Sequence, residues 1–133
     1  VRNLLLVCGG GAIGSGARYL LGLGAAAAVG PALPAGTFLV NATGSFLIAV
    51  VMRLSLGGRL SAGWRLFLAT GVMGGYTTYS SFAVETVRLA AAGAVGGAAA
   101  YVGATVITCL AAGALGGAAG RALLPRLERR TVR

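Results

Sequence analysis

Hydrophobic positions along this chain neither alternate nor recur every third or fourth place; they run on. Four predominantly apolar stretches occupy roughly residues 3–24, 36–56, 64–90 and 95–120, with Pro31 and Pro34 separating the first two. Each is close to the ~20 residues that carry an α-helix across a bilayer core. A helix apolar on all sides needs no single buried stripe when lipid surrounds it. The pattern predicts an all-α integral membrane protein with four transmembrane helices in one domain spanning residues 1–133. The first stretch carries Arg18 and a series of glycines, which is not the pattern of a cleaved signal peptide.

Composition strengthens this reading. Hydrophobic residues make up 57% of the chain and charged residues only 10%, where a soluble domain carries about a quarter charged. Eleven arginines against Glu85 and Glu128 give a net charge of +9. Nucleic acid is the usual partner of so basic a chain, but no soluble basic patch with interleaved aromatics is present to receive it. The arginines instead gather at helix ends. With four spans, Arg2, Arg53, Arg59, Arg65, Arg121, Arg126, Arg129, Arg130 and Arg133 fall on one side and Arg88 alone on the other. Positive residues stay inside, so both termini are expected in the cytoplasm of a cell-membrane protein. Cys8 and Cys109 lie in separate apolar stretches and read as small hydrophobes, and histidine is absent.

Polar groups interrupt the apolar stretches at a few places. In "CGGGAIGSGARYL", Gly10, Gly14 and Gly16 with Ala17 make a smooth face for close helix approach, and Arg18 either snorkels to the interface or draws anions into a vestibule. In "GTFLVNATGSFLIAV", Asn41 and Ser45 share a face, where Asn41 either bonds a neighbouring helix or lines a pore. The fourth stretch carries Tyr101, Thr105 and Cys109 at i, i+4 and i+8. The densest cluster is "GGYTTYSSF", residues 74–82. Gly74 and Gly75 weaken the helix near its middle, and the hydroxyls of Thr77, Thr78, Ser80 and Ser81 compete for its backbone hydrogen bonds. A broken helix at that depth is tolerated only inside protein or beside a cavity. Freed carbonyls suit a hard cation, while hydroxyls and the ring edges of Tyr79 and Phe82 suit an anion. A kinked packing helix is the plainer alternative.

"GARYL", "GTFLVNATGSF" and "GVMGGYTTYSSFAVET", in this order on a four-helix chain, resemble the CrcB/Fluc fluoride channel family over essentially the whole length. The resemblance implies an antiparallel dimer with two fluoride pores at its interface and a broken third helix. It also implies a central structural sodium ion on backbone oxygens, which fall here at Gly74 and Thr77. The fluoride pathway would comprise Asn41, Tyr79, Ser80, Ser81, Phe82, Tyr101 and Thr105, with Cys109 extending the last track and Arg18 in the vestibule. Two positions depart from the family: Tyr79 stands where phenylalanine is usual, and Cys109 where serine is expected.

Fluoride export would then be passive, with no covalent chemistry. The arginine bias adds that the chain inserts one way only, so it should pair with a paralogous subunit of opposite orientation. A small multidrug exporter is the rival transporter, but it needs a membrane carboxylate that the first helix lacks. A non-conducting scaffold, or a non-conducting paralogous partner, explains the Gly/Ala faces but not a polar break in register with Asn41.

Overall fold

The computed structural model describes residues 1–30 and 33–131, with side chains as far as Leu124. Pro31 and Arg133 therefore lie outside the described residues, as do the side chains of Arg126, Glu128, Arg129 and Arg130. The described residues form helices and no strand: α1 (Arg2–Val29), α2 (Ala35–Leu56), α3 (Ala62–Arg65), a π-helical segment π1 (Leu66–Val72), α4 (Met73–Tyr76), α5 (Tyr79–Ala91) and α6 (Val95–Thr131). Three helical lengths, Arg2–Val29, Ala35–Leu56 and Val95–Leu124, are long and apolar enough to cross a membrane. The remaining apolar stretch is assembled from α3, π1, α4 and α5.

α1 continues to Val29 rather than to about residue 24, because Ala25–Ala28 are strong helix formers and nothing stops the chain before Gly30 at φ 86°. α6 likewise runs past residue 120 to Thr131. Large apolar side chains such as Leu20, Ile107 and Leu110 are exposed on the outer faces of α1 and α6. An outward-facing hydrophobic surface of this kind is what a lipid-solvated chain presents.

Backbone contact between helices replaces the usual side-chain core. A Cβ on Gly10 would stand 2.9 Å from Gly71 Cα, and one on Gly14 would stand 2.8 Å from the Tyr76 amide nitrogen. The expected small-residue face of α1 thus packs on π1 and α4. Gly16 has nothing within 4 Å of its Cβ position and takes no part in that contact. α6 lies along α2 in the same manner, since a Cβ on Gly116 would collide with the Phe46 carbonyl oxygen. Side chains close only a small cluster, in which Val40, Met73 and Tyr76 are buried with Leu21 and Val72 against them.

The two glycines of the polar cluster do not unwind the chain as the sequence suggests. Residues 73–76 remain α-helical, and a Cβ on Gly75 would stand 3.0 Å from Gly11 Cα, so that glycine serves close packing against α1. The interruption falls at Thr77 (φ −79°, ψ 158°) and Thr78 (φ −150°, ψ 125°), two consecutive extended residues.

Candidate functional site

Two extended residues inside a helical membrane protein strand their own backbone groups, and the surrounding sequence supplies replacements. Asn41 on α2 donates from Nδ2 to the Thr78 carbonyl at 2.8 Å and accepts the Thr78 amide on Oδ1, also at 2.8 Å. One side-chain amide thereby satisfies both backbone groups of Thr78, a task the sequence reading offered only in the general form of a helix–helix hydrogen bond. Thr78 in turn caps α5, its Oγ1 accepting the Ser81 amide at 3.2 Å. Its hydroxyl also lies 3.2 Å from Ser81 Oγ and 3.3 Å from Ser80 Oγ. Thr77 closes the preceding turn, with both its amide (3.0 Å) and its Oγ1 (2.9 Å) donating to the Met73 carbonyl.

This rearrangement frees acceptors. In a continuous helix the Thr78 amide would bond the Gly74 carbonyl and the Ser81 amide would bond the Thr77 carbonyl. Here those donors go to Asn41 Oδ1 and to Thr78 Oγ1. The carbonyl oxygens of Gly74 and Thr77 are thus left without their helical partners, and neutral oxygens of this type suit a hard monovalent or divalent cation.

Two cavities flank the extended pair, and Thr78 lines both. The first, ≈ 390 Å³, brings Asn41, Ser45 and Thr77 together with Thr105 and Cys109 of α6. The rings of Tyr79 and Phe82 form part of its wall. The second, ≈ 290 Å³, is lined by Arg18, Ser15 and Tyr19 of α1, Thr37 of α2, and Ser81. Arg18 thus borders a cavity that Thr78 of the helix break also lines. Ser80 is exposed beside Thr78, and Gly74 is exposed with nothing near its Cβ position.

Thr105 is distinctive. It is only 5% exposed, it lines the larger cavity, and its Oγ1 is buried without a hydrogen-bond partner among the described residues. Helical threonines ordinarily return the hydroxyl proton to their own helix, as Thr43 does to the Leu39 carbonyl at 2.7 Å. A buried hydroxyl left unmet costs about 1–3 kcal/mol, so its persistence points to a partner that is not part of the chain.

The aromatic residues form a row. Tyr79 and Phe82 have ring centroids 6.0 Å apart at 47°, and Phe82 and Tyr101 are 5.3 Å apart at 48°. Tyr79 is 81% exposed, so this row begins on the outer surface of the chain. Tyr101 joins the set through its ring rather than through its hydroxyl, which donates to Glu85 Oε2 at 2.7 Å. Thr37 Oγ1 donates to the other carboxylate oxygen, Oε1, at 2.8 Å. Glu85 therefore ties α2, α5 and α6 together at one end of the aromatic row. Sequence reasoning passed over this role; an ionisable residue inside a predicted span was the signal available.

Comparison with known proteins gives the family. Residues 5–117 match the family described as "CrcB-like protein, Camphor Resistance (CrcB)". A protein of Anaeromyxobacter dehalogenans named "Fluoride-specific ion channel FluC" is 58% identical over 112 residues, covering 84% of this chain and 89% of its own. Proteins with the same name from Agrobacterium fabrum (47% over 123 residues, 91% of this chain and 98% of theirs) and Thermus thermophilus (52% over 101 residues, 76% and 80%) are also similar.

Proposed function

The chain belongs to the CrcB-like family and is a multi-pass membrane protein, and on that premise we propose that it is a subunit of a fluoride-selective channel. The observation that carries the proposal is the unmet Thr105 hydroxyl in one cavity with Asn41 and Phe82. Fluoride is small and strongly hydrated, so a low-dielectric path admits it only where protein donors replace its water. Thr105 offers a free O–H, and Asn41 keeps a second N–H after serving Thr78. The edges of Phe82 and Tyr79 carry partial positive charge toward the same space. A series of such modest contacts permits entry and exit alike. Arg18 raises the local anion concentration in the smaller cavity, and Ser81 takes the ion onward.

Transport is passive and involves no covalent step. A negative-inside potential drives fluoride outward and relieves its accumulation in the cell. The freed carbonyls of Gly74 and Thr77 fit a structural sodium ion shared with a second, antiparallel subunit. When bound, such an ion supplies fixed positive charge beside the helix break.

The exposed Tyr79 ring and the one-sided arginines support a partner of opposite orientation, encoded as a paralogue. Fluoride efflux from liposomes with the potential clamped tests this reading, first with the chain alone and then with its closest relative from the same genome. Efflux only from the mixture is expected. Efflux from the chain alone refutes the paralogous partner, and silence in both refutes the channel.

A further inference from the structure

A larger cavity, ≈ 620 Å³, opens where the first turns of α1 meet α3 and π1, with none of its lining residues shared with the two cavities at the helix break. Leu6, Ala62, Gly63 and Phe67 give it apolar walls, and Arg2, Ser61 and Trp64 stand around it. Its volume falls in the range of about 300–1,000 Å³ typical of sites for small organic ligands. A Cβ at Gly63 would only touch Leu6 Cδ1, at an ordinary 3.6 Å, so filling the cavity from this position takes a larger side chain. Trp64 is braced edge-on against Phe67, with centroids 5.7 Å apart at 87°, while 58% of its surface remains exposed.

The position of this cavity along the helices narrows the choice of ligand. Arg2 opens α1 and Ser61 caps α3, so the cavity sits where two membrane-entering segments begin. An exposed tryptophan at such a boundary belongs at the head-group level. Arg2 and, on α3, Arg65 are both exposed at this end of the molecule. The Ser61 hydroxyl accepts the Trp64 amide at 3.3 Å and keeps its own O–H, so it stands with the Arg2 guanidinium and the Trp64 indole as a donor at the rim.

We infer that this cavity binds an anionic phospholipid of the arginine-rich leaflet. One acyl chain lies between Leu6 and Phe67, and the phosphate meets Arg2. Charge complementarity and apolar walls at membrane depth favour a lipid over a soluble anion, which has no use for Leu6 and Phe67. The inference rests on the membrane assignment and does not depend on fluoride conduction.

Native mass spectrometry of the full chain in detergent, titrated with phosphatidylglycerol and with phosphatidylcholine of the same acyl chains, tests it without reading any flux. The wild type should retain phosphatidylglycerol at least fivefold better. Arg2→Gln should lower that preference about fivefold, the contribution of one basic residue near an anionic surface. Gly63→Leu should remove the bound lipid by filling the cavity. If that variant does not fold, Trp64→Ala, which alters an exposed side chain, should weaken binding instead. Equal retention of the two lipids, or undiminished binding in these cavity variants, overturns the inference. So does displacement by inorganic phosphate, which assigns the site to a free anion. With Cys8 and Cys109 both replaced by alanine, a disulfide-linked dimer of Gly63→Cys would overturn it too, showing that a second copy covers the cavity.

Discussion

Replacing Thr105 by valine separates a conducting role from a structural one, because the two predict opposite signs for stability. The substitution keeps the branched shape and removes one hydroxyl. That hydroxyl is buried and unpaired, so its loss relieves a desolvation cost of about 1–3 kcal/mol. The lower end applies, since Thr105 borders a ≈ 390 Å³ cavity with room for water. The variant should therefore be as stable as the wild type or about 1 kcal/mol more stable. A permeating fluoride, however, loses a hydrogen bond to a charged partner worth about 1.5–3 kcal/mol. At a factor of ten per 1.36 kcal/mol, efflux should fall roughly 10- to 150-fold. Thermal unfolding in detergent measures the first effect, and fluoride efflux from liposomes under the competent subunit composition measures the second. Thr105→Ser, which keeps the hydroxyl, should restore most of the flux. Unchanged efflux in the valine variant, or a joint loss of stability and flux, would refute the reasoning.

Other substitutions probe the groups around it. Asn41→Leu should leave the Thr78 amide without its partner, at about 1–3 kcal/mol, and lower the unfolding temperature as well as abolish efflux. Glu85→Ala should release both the Thr37 and Tyr101 hydroxyls, and loss of two charge-assisted bonds predicts a destabilisation of about 2–4 kcal/mol by thermal unfolding. Glu85→Gln, keeping one carbonyl acceptor, should fall between that variant and the wild type. Cys109 lines the ≈ 390 Å³ cavity beside the helix break, so an anionic thiol reagent should reduce efflux, and Cys109→Ala should become resistant to it. Cys8→Ala should remain as sensitive as the wild type, since Cys8 is exposed on α1 and lines none of the three cavities.

The helices were legible because lipid imposes a constraint that composition alone expresses: long apolar runs with few charges to solvate. The cluster at residues 74–82 was legible as an interruption for the same reason, since four hydroxyls have no place in an ordinary span. Its anatomy was not. Gly74 and Gly75 carry the strongest local breaking signal, yet the helix continues through them because Gly75 is pressed against Gly11. The extended pair begins at Thr77 because Asn41, 37 residues before Thr78, supplies the missing partners. Likewise the carboxylate bridge runs from Glu85 to Thr37 and Tyr101, separations of 48 and 16 residues that no local pattern records. The π-helical winding of Leu66–Val72 has no signature in its residues, and the structure gives no physical reason for it.

On the proposed reading one break serves two opposite kinds of site, and the sign of each follows from which groups Asn41 consumes. It takes the Thr78 amide and returns a donor to the Thr78 carbonyl, so Thr78 leaves no backbone charge behind. The acceptors left without their helical donors, among them the carbonyls of Gly74 and Thr77, lie to the N-terminal side of it. Donors remain elsewhere, on the Thr105 hydroxyl and the second Asn41 N–H, facing the cavity. An anion path beside bare carbonyls would be repulsive, and a cation seated on those carbonyls converts the repulsion into attraction. The cation and anion readings of the break are therefore mutually dependent. A variant that removes the side chain holding Thr78, such as Asn41→Ala, should lose both sodium affinity and fluoride conduction, whereas Thr105→Val should lose conduction alone. Sodium titration of thermal stability distinguishes them, and parallel loss of the sodium response in both variants would contradict the separation of donors from acceptors.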